Sequence, residues 1–145
     1  MRYAPSPEVP QPPEGWMDNS VLASLLSFSA HIALASVMVV VFMIVYARVT
    51  PQEELQLIRE GNTAAAIALS GAMIGFVIAL CRAIGLSTTI WEMALWGLVA
   101  LAVQCIGHGV LSLMFPRLGE EIERGQTSAA IVSAAVGISL GLINA

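Results

Sequence analysis

Lysine is absent from the 145 residues, and the six basic residues are arginines scattered singly along the chain. With no basic run there is no electrostatic footprint for nucleic acid and no strong patch for anionic lipid. Charged residues make up only 11% of the chain, against about 25% in soluble domains, which excludes an ordinary water-solvated globule. The two cysteines, Cys81 and Cys105, sit inside apolar runs, where a thiol behaves as a small hydrophobe, so neither a disulfide framework nor a metal site follows. No carboxylate falls in the middle of an apolar stretch, which removes the usual coupling group of an ion-driven transporter. There is no His–Cys cluster, nucleophile elbow, phosphate-cradling glycine loop or carboxylate dyad. Catalytic residues, metals and cofactors are therefore not predicted, and the chain reads as a non-enzyme.

What the chain does have is apolar length. Hydrophobic residues account for 57% of it, with a mean hydropathy of +0.82. Four stretches lack Asp, Glu, Lys and Arg: Asn19 to Ala47, Gly61 to Cys81, Met93 to Pro116, and Gly125 to Ala145. Roughly 20 apolar residues cross a hydrocarbon core about 30 Å thick. The expected fold is all-α, a polytopic membrane protein with four transmembrane helices over residues 19–145. Residues 1–18 form a proline-rich tail holding five of the seven prolines, expected to be extended or disordered until about Trp16. The first apolar run far exceeds a signal-peptide core of about 7–15 residues, so the first span is itself the targeting signal.

The segment Ile58-Arg59-Glu60-Gly61-Asn62-Thr63-Ala64 returns as Ile122-Glu123-Arg124-Gly125-Gln126-Thr127-Ser128, an offset of 64 residues. In each copy a long apolar run precedes the motif and a shorter one follows. This predicts two tandem two-helix repeats, about 19–84 and 87–145. A unit with an even number of spans returns the chain to its starting side, so the repeats are parallel rather than inverted. Thr50-Pro51-Gln52-Glu53 has the form of a capping box, and a short interfacial helix is expected from Pro51 to Glu60, with a counterpart from Pro116 to Arg124. Gly61 and Gly125 suit left-handed C-cap positions, and Thr63 and Thr127 are expected to cap the spans that follow. Thr89-Ile90-Trp91-Glu92 reads as another capping box.

Arginine sets the expected orientation. Arg48, Arg59, Arg117 and Arg124 flank the repeat turns, against Arg2 and Arg82 on the other side. The positive-inside rule then places the repeat turns in the cytoplasm and both termini outside. Trp16, Trp91 and Trp96 fall near the outer ends of their spans, as an aromatic belt would.

Thr50 through Ser70, together with Leu95-Trp96-Gly97-Leu98-Val99-Ala100 and Gly141-Leu142-Ile143-Asn144-Ala145, resembles the bacterial inner-membrane family known as domain of unknown function 350, the YjfL-like proteins. The most specific part is Arg59-Glu60-Gly61-Asn62-Thr63-Ala64-Ala65-Ala66, and the resemblance runs from about Val21 onward. It implies tandem two-helix units in the inner membrane and a link to envelope maintenance, but no reaction.

Three groups of residues are candidates for function. The first is the repeat-turn motif, Arg59, Glu60, Gly61, Asn62, Thr63, Glu123, Arg124, Gly125, Gln126 and Thr127. Its charged pair is reversed between the copies, which predicts cross-repeat pairing of each arginine with the other copy's carboxylate. The second comprises Gly71, Gly75, Gly137 and Gly141, two GxxxG patterns that let helix backbones approach. The third is His31, Gln104, His108 and Ser112, polar groups deep in the spans. Gln104, His108 and Ser112 recur every four residues on one face, a possible polar path. Counted from the nearest arginines, His31 and His108 differ in depth by about 12 Å, too far to share one metal within a single subunit. Glu92 is assigned to its capping box and a pairing with Arg82. The function expected is an oligomerising structural or scaffold component, touching lipid and either copies of itself or a larger membrane complex. The alternative is a channel subunit with a polar path along the third span.

Overall fold

The computed structural model describes residues 16–50 and 54–145, with side chains from residue 19 onward. Its elements are α1 (Trp16–Val49), α2 (Glu54–Arg59), α3 (Thr63–Leu86), α4 (Ile90–Met114), α5 (Leu118–Glu123) and α6 (Thr127–Ile143). α1, α3 and α4 are long and apolar enough to cross a membrane, and α6 is a shorter apolar helix of 17 residues. At 1.5 Å per residue α6 reaches about 26 Å, slightly less than a typical hydrocarbon core. Expectations for the tail before Trp16, and for the capping box that needs residues 51–53, lie outside the described residues.

Each short helix ends in the same way. Gly61 and Gly125 adopt φ of 89° and 78°, a conformation that costs any residue with a Cβ. The amide of Gly61 bonds the Ile58 carbonyl and that of Asn62 the Leu57 carbonyl; Gly125 to Ile122 and Gln126 to Glu121 repeat the pattern. These are Schellman caps, which satisfy carbonyls left over at a helix C-terminus. The next residues, Asn62 (φ −72°, ψ 104°) and Gln126 (φ −73°, ψ 105°), are the N-caps of α3 and α6. Thr63 and Thr127 therefore do not cap. They already lie inside the helices, whereas a cap needs the extended backbone one residue earlier. At the opposite end the Thr89–Glu92 capping box is formed. Glu92 accepts from the Thr88 amide at 2.8 Å and its hydroxyl at 2.9 Å, and it makes no ion pair with Arg82 among the described residues.

α3 and α6 form the closest helix pair. A methyl group on Gly71 would overlap Ala134, one on Gly75 the Gly137 carbonyl, and one on Gly141 the Gly75 backbone. Both GxxxG faces are thus consumed in a seam within one chain, where small residues let backbones touch. α4 lies against both helices of this pair, and α1 leans on α3 and α4. Phe42 of α1 stacks on Phe76 of α3, ring centroids 4.6 Å apart. Among the described side chains of α1 the buried ones are Met38, Phe42 and Tyr46, all in its second half. Its first half, with Val21, Leu22, Leu25 and Leu26, is left exposed by the rest of the chain.

Candidate functional site

The repeat-turn motifs meet through an amide rather than through charge. Asn62 Oδ1 accepts from the Ala65 amide at 3.1 Å, while Nδ2 donates to the carbonyls of Ile122 at 3.0 Å and Glu123 at 2.9 Å. The expected cross-repeat ion pairs are not formed: among the described residues the ion pair is Arg124–Glu120, 3.5 Å apart within one helical turn. Arg59 is exposed, and Glu60 accepts from Gln56. The physical reason is solvent exposure. Both charged pairs sit on the solvent side of their helix ends, where an ion pair gains little, whereas the α5 carbonyls need a donor. Gln126 makes no side-chain cap bond, so the link runs one way.

Just inside this end lies a cavity of about 120 Å³, lined among others by Tyr46, Glu54, Cys105, His108, Ser112 and Ser133. α4 delivers His108 and Ser112 to it, with Gln104 one turn before His108. Gln104, fully buried, donates Nε2 to the Gly137 carbonyl at 3.1 Å and the Ala72 carbonyl at 3.4 Å, bridging the α3–α6 seam. One turn on, His108 Nδ1 lies 3.1 Å from the Gln104 carbonyl oxygen. A carbonyl can only accept, so Nδ1 carries a proton, and in the neutral imidazole Nε2 then presents a lone pair. The Tyr46 ring meets the His108 imidazole edge-on, centroids 5.0 Å apart.

α2 supplies the acid. Glu54 is 4% exposed, and its Oε1 accepts a long hydrogen bond, 3.5 Å, from the Tyr46 hydroxyl. It points inward because Leu57 and Ile58, three and four residues on, pack on the small-residue core beneath α2. Burial pushes the Glu54 carboxyl up to about 7, with the Tyr46 hydroxyl pulling weakly the other way. Glu54 Oε2, His108 Nε2 and Gln104 Oε1 are buried without a hydrogen-bond partner among the described residues.

The expected polar path is thus brought together in part. Gln104 and His108 are joined directly, and Ser112 lines the same cavity as His108. His31 is elsewhere: it lines an open groove with Ser24, Ser27, Ile84, Ser87 and Thr88, and its Nδ1 lies 2.7 Å from the Ser27 carbonyl. Glu54 and Tyr46 are site residues that sequence reasoning missed. Polar groups within the spans stand out in an apolar sequence, whereas Glu54 enters from the short helix beside them. The signal available was its place on the same helical face as Leu57 and Ile58.

The family model described as Domain of Unknown Function (DUF350) matches residues 20–145. The chain belongs to the DUF350 family. A relative named inner membrane protein YjfL, from Escherichia coli strain K12, is 36% identical over 125 residues, covering 86% of this chain and 95% of that protein. The transmembrane protein YshE of Bacillus subtilis strain 168 is 24% identical over 121 residues, covering 82% and 90%. No solved structure matches the chain. The cavity residues Tyr46, Glu54 and His108 all fall within the DUF350 match.

Proposed function

We propose that this DUF350 chain is a non-enzymatic, multi-pass component of the bacterial inner membrane that associates with copies of itself as a structural subunit of the envelope. The location follows that printed for the Escherichia coli relative. Two tandem repeats are supported by the 64-residue offset and by the matched Schellman caps at Gly61 and Gly125. The arginine distribution supports repeat turns in the cytoplasm and termini outside. The exposed Trp91 and Trp96 at the start of α4 suit the opposite interface.

The observation that carries self-association is the uncovered first half of α1. Ser24, Ser27 and His31 line its groove against the end of α3. With Nδ1 engaged by the Ser27 carbonyl, His31 Nε2 is left as a bare acceptor that acyl chains cannot satisfy. A second copy of α1 offers its Ser27 hydroxyl as a donor, those of Ser24, Ser29 and Ser36 being given to their own helix. The glycine seam cannot serve, because it is closed within the chain.

The test uses single cysteines at Ser24, Ser27 or His31 in a protein lacking Cys81 and Cys105. Disulfide-linked dimers should form in membranes at these positions and not at Leu113, on the far helix. Dimers at Leu113 alone, or a monomer throughout, would sink the reading. A permeation subunit is the second reading, favoured by the polar lining that His108 and Ser112 give the inner cavity. Gln104 closes the seam above it, so such a path runs between copies, and solute leak from proteoliposomes altered by His108→Leu is its test.

A further inference from the structure

The cavity beside the repeat turns presents two side chains that are each more than nine-tenths buried and each carry an unpaired atom, Glu54 at 4% and His108 at 8% exposure. Both unpaired atoms are acceptors. In the neutral imidazole His108 Nε2 is a lone pair, since Nδ1 donates to the Gln104 carbonyl, and in the ionised form Glu54 Oε2 is a carboxylate oxygen whose twin is engaged by Tyr46. Burying an acceptor without a donor is unfavourable, and more so when it is charged. The space they face, about 120 Å³, holds roughly three or four water-sized groups. A guest that complements it brings N–H or O–H donors and positive charge.

Cations differ in what they require. A transition metal requires several strong protein ligands, and no group of three or more His, Cys, Asp or Glu side chains converges among the described residues. Alkali and alkaline-earth ions prefer oxygen on every side and gain little from an imidazole nitrogen. An ammonium group differs from both. It donates N–H to a nitrogen lone pair as readily as to a carboxylate, and Tyr46 and Ser133 add hydroxyl oxygens to a wall that is otherwise largely apolar, with Val49, Leu111 and Leu118, which suits a short alkyl group.

We propose that this cavity is a binding site for ammonium or a short primary alkylammonium, held by Glu54 Oε2 and His108 Nε2. The site is independent of self-association through α1, since it lies at the other end of the bundle from His31.

The full-length protein in detergent, at about pH 8 where the Glu54 carboxyl is ionised, is titrated with ammonium, methylammonium, potassium and tetramethylammonium chlorides. Binding is followed by thermal denaturation and by calorimetry. Ammonium and methylammonium should raise the melting temperature in a saturable way, while potassium and tetramethylammonium, which lack N–H donors, should not. Glu54→Gln, which keeps the shape, should weaken ammonium binding at least about tenfold. His108→Phe should do the same while leaving the helical circular dichroism signal intact. Equal stabilisation by potassium, or saturable ammonium binding that survives Glu54→Gln, overturns the assignment. So does the absence of any ammonium effect on the folded wild-type chain.

Discussion

Asn62 donates its side-chain amide to the main-chain oxygen of Glu123, 2.9 Å away, and through it the start of α3 holds the end of α5. Both N–H donors of this amide are used across to α5, and its oxygen accepts within α3. The corresponding residue 64 positions later, Gln126, has the same backbone angles within a degree or two but no side-chain cap bond. The two turns are alike in backbone and unlike in bonding.

That asymmetry makes a paired prediction. Asn62→Ala removes an N-cap, worth about 0.5–2 kcal/mol, and leaves the Glu123 carbonyl without its donor, while Ile122 keeps the Gly125 amide. Loss of stability should be at least about 1 kcal/mol by denaturant titration in micelles. Gln126→Ala should change it by under about 0.5 kcal/mol. Asn62→Asp keeps the cap acceptor but cannot donate, so it should fall between wild type and alanine. Equal effects at 62 and 126 would contradict the one-way link.

Much of the fold is legible in the sequence because helix ends and bilayer spans leave local signatures. Gly61, Gly125 and the Thr89–Glu92 box are set by residues within a few positions of each other. What pairs with what is not legible. The GxxxG faces predict close approach but carry no address, and only the folded chain shows that Gly75 meets Gly137 and Gly141. Charge reversal at Arg59 and Glu123 suggests an ion pair, yet a short neutral amide reaches the α5 carbonyls instead. Glu54 is hidden for a related reason. Its burial depends on where a six-residue helix is pinned by its own cap, a tertiary outcome that hydropathy along the chain does not register.

The glycine seam separates positions that look equivalent in sequence. Gly75→Ala and Gly141→Ala place a methyl into the facing backbone, and neither helix can yield without parting the seam. Each should cost roughly 1–3 kcal/mol or more. Gly85 and Gly109, also helical, have open space where a methyl would stand, with nothing within 4 Å of it. There alanine should be neutral or stabilise by about 0.5–1 kcal/mol, since glycine is the poorer helix former. Thermal unfolding of the four variants checks this, and a loss at Gly109 matching that at Gly75 would contradict the geometry.

Gln104 tests whether the bridge across the seam matters more than its unpaired oxygen. Gln104→Met removes two long hydrogen bonds to Gly137 and Ala72 and also removes the buried, unpartnered Oε1. Side-chain hydrogen bonds between membrane helices average about 0.6 kcal/mol, and the orphaned acceptor offsets part of that. The expected change in stability is under about 1 kcal/mol. Gln104→Glu puts a carboxyl where the amide donor stood, facing two carbonyls that can only accept, and should destabilise by several-fold more. Similar unfolding curves for the two variants would show that the bridge contributes little.

Glu54 gives the chain a pH dependence of defined sign. Its carboxyl titrates at about 7 in the folded protein against an ordinary value of 4.5, because burial disfavours the charged form. Below the lower value both folded and unfolded chains hold the proton, and stability is at its maximum. As pH rises from there to about 7, only the unfolded chain loses it, so stability falls, and above that range the loss is complete. The shift corresponds to about 3 kcal/mol at most. The groups facing Glu54 across the cavity are Tyr46 from α1 and Cys105 and His108 from α4, while α5 and α6 contribute Leu118, Ile122 and Ser133 and no charge. No cation from these elements stands ready to cancel the effect. Glu54→Gln should therefore be as stable as wild type near pH 4 and more stable near pH 8, the two curves separating across the interval between 4.5 and about 7. Parallel curves would mean that the carboxyl is ionised in the fold throughout, and that a donor already meets Oε2.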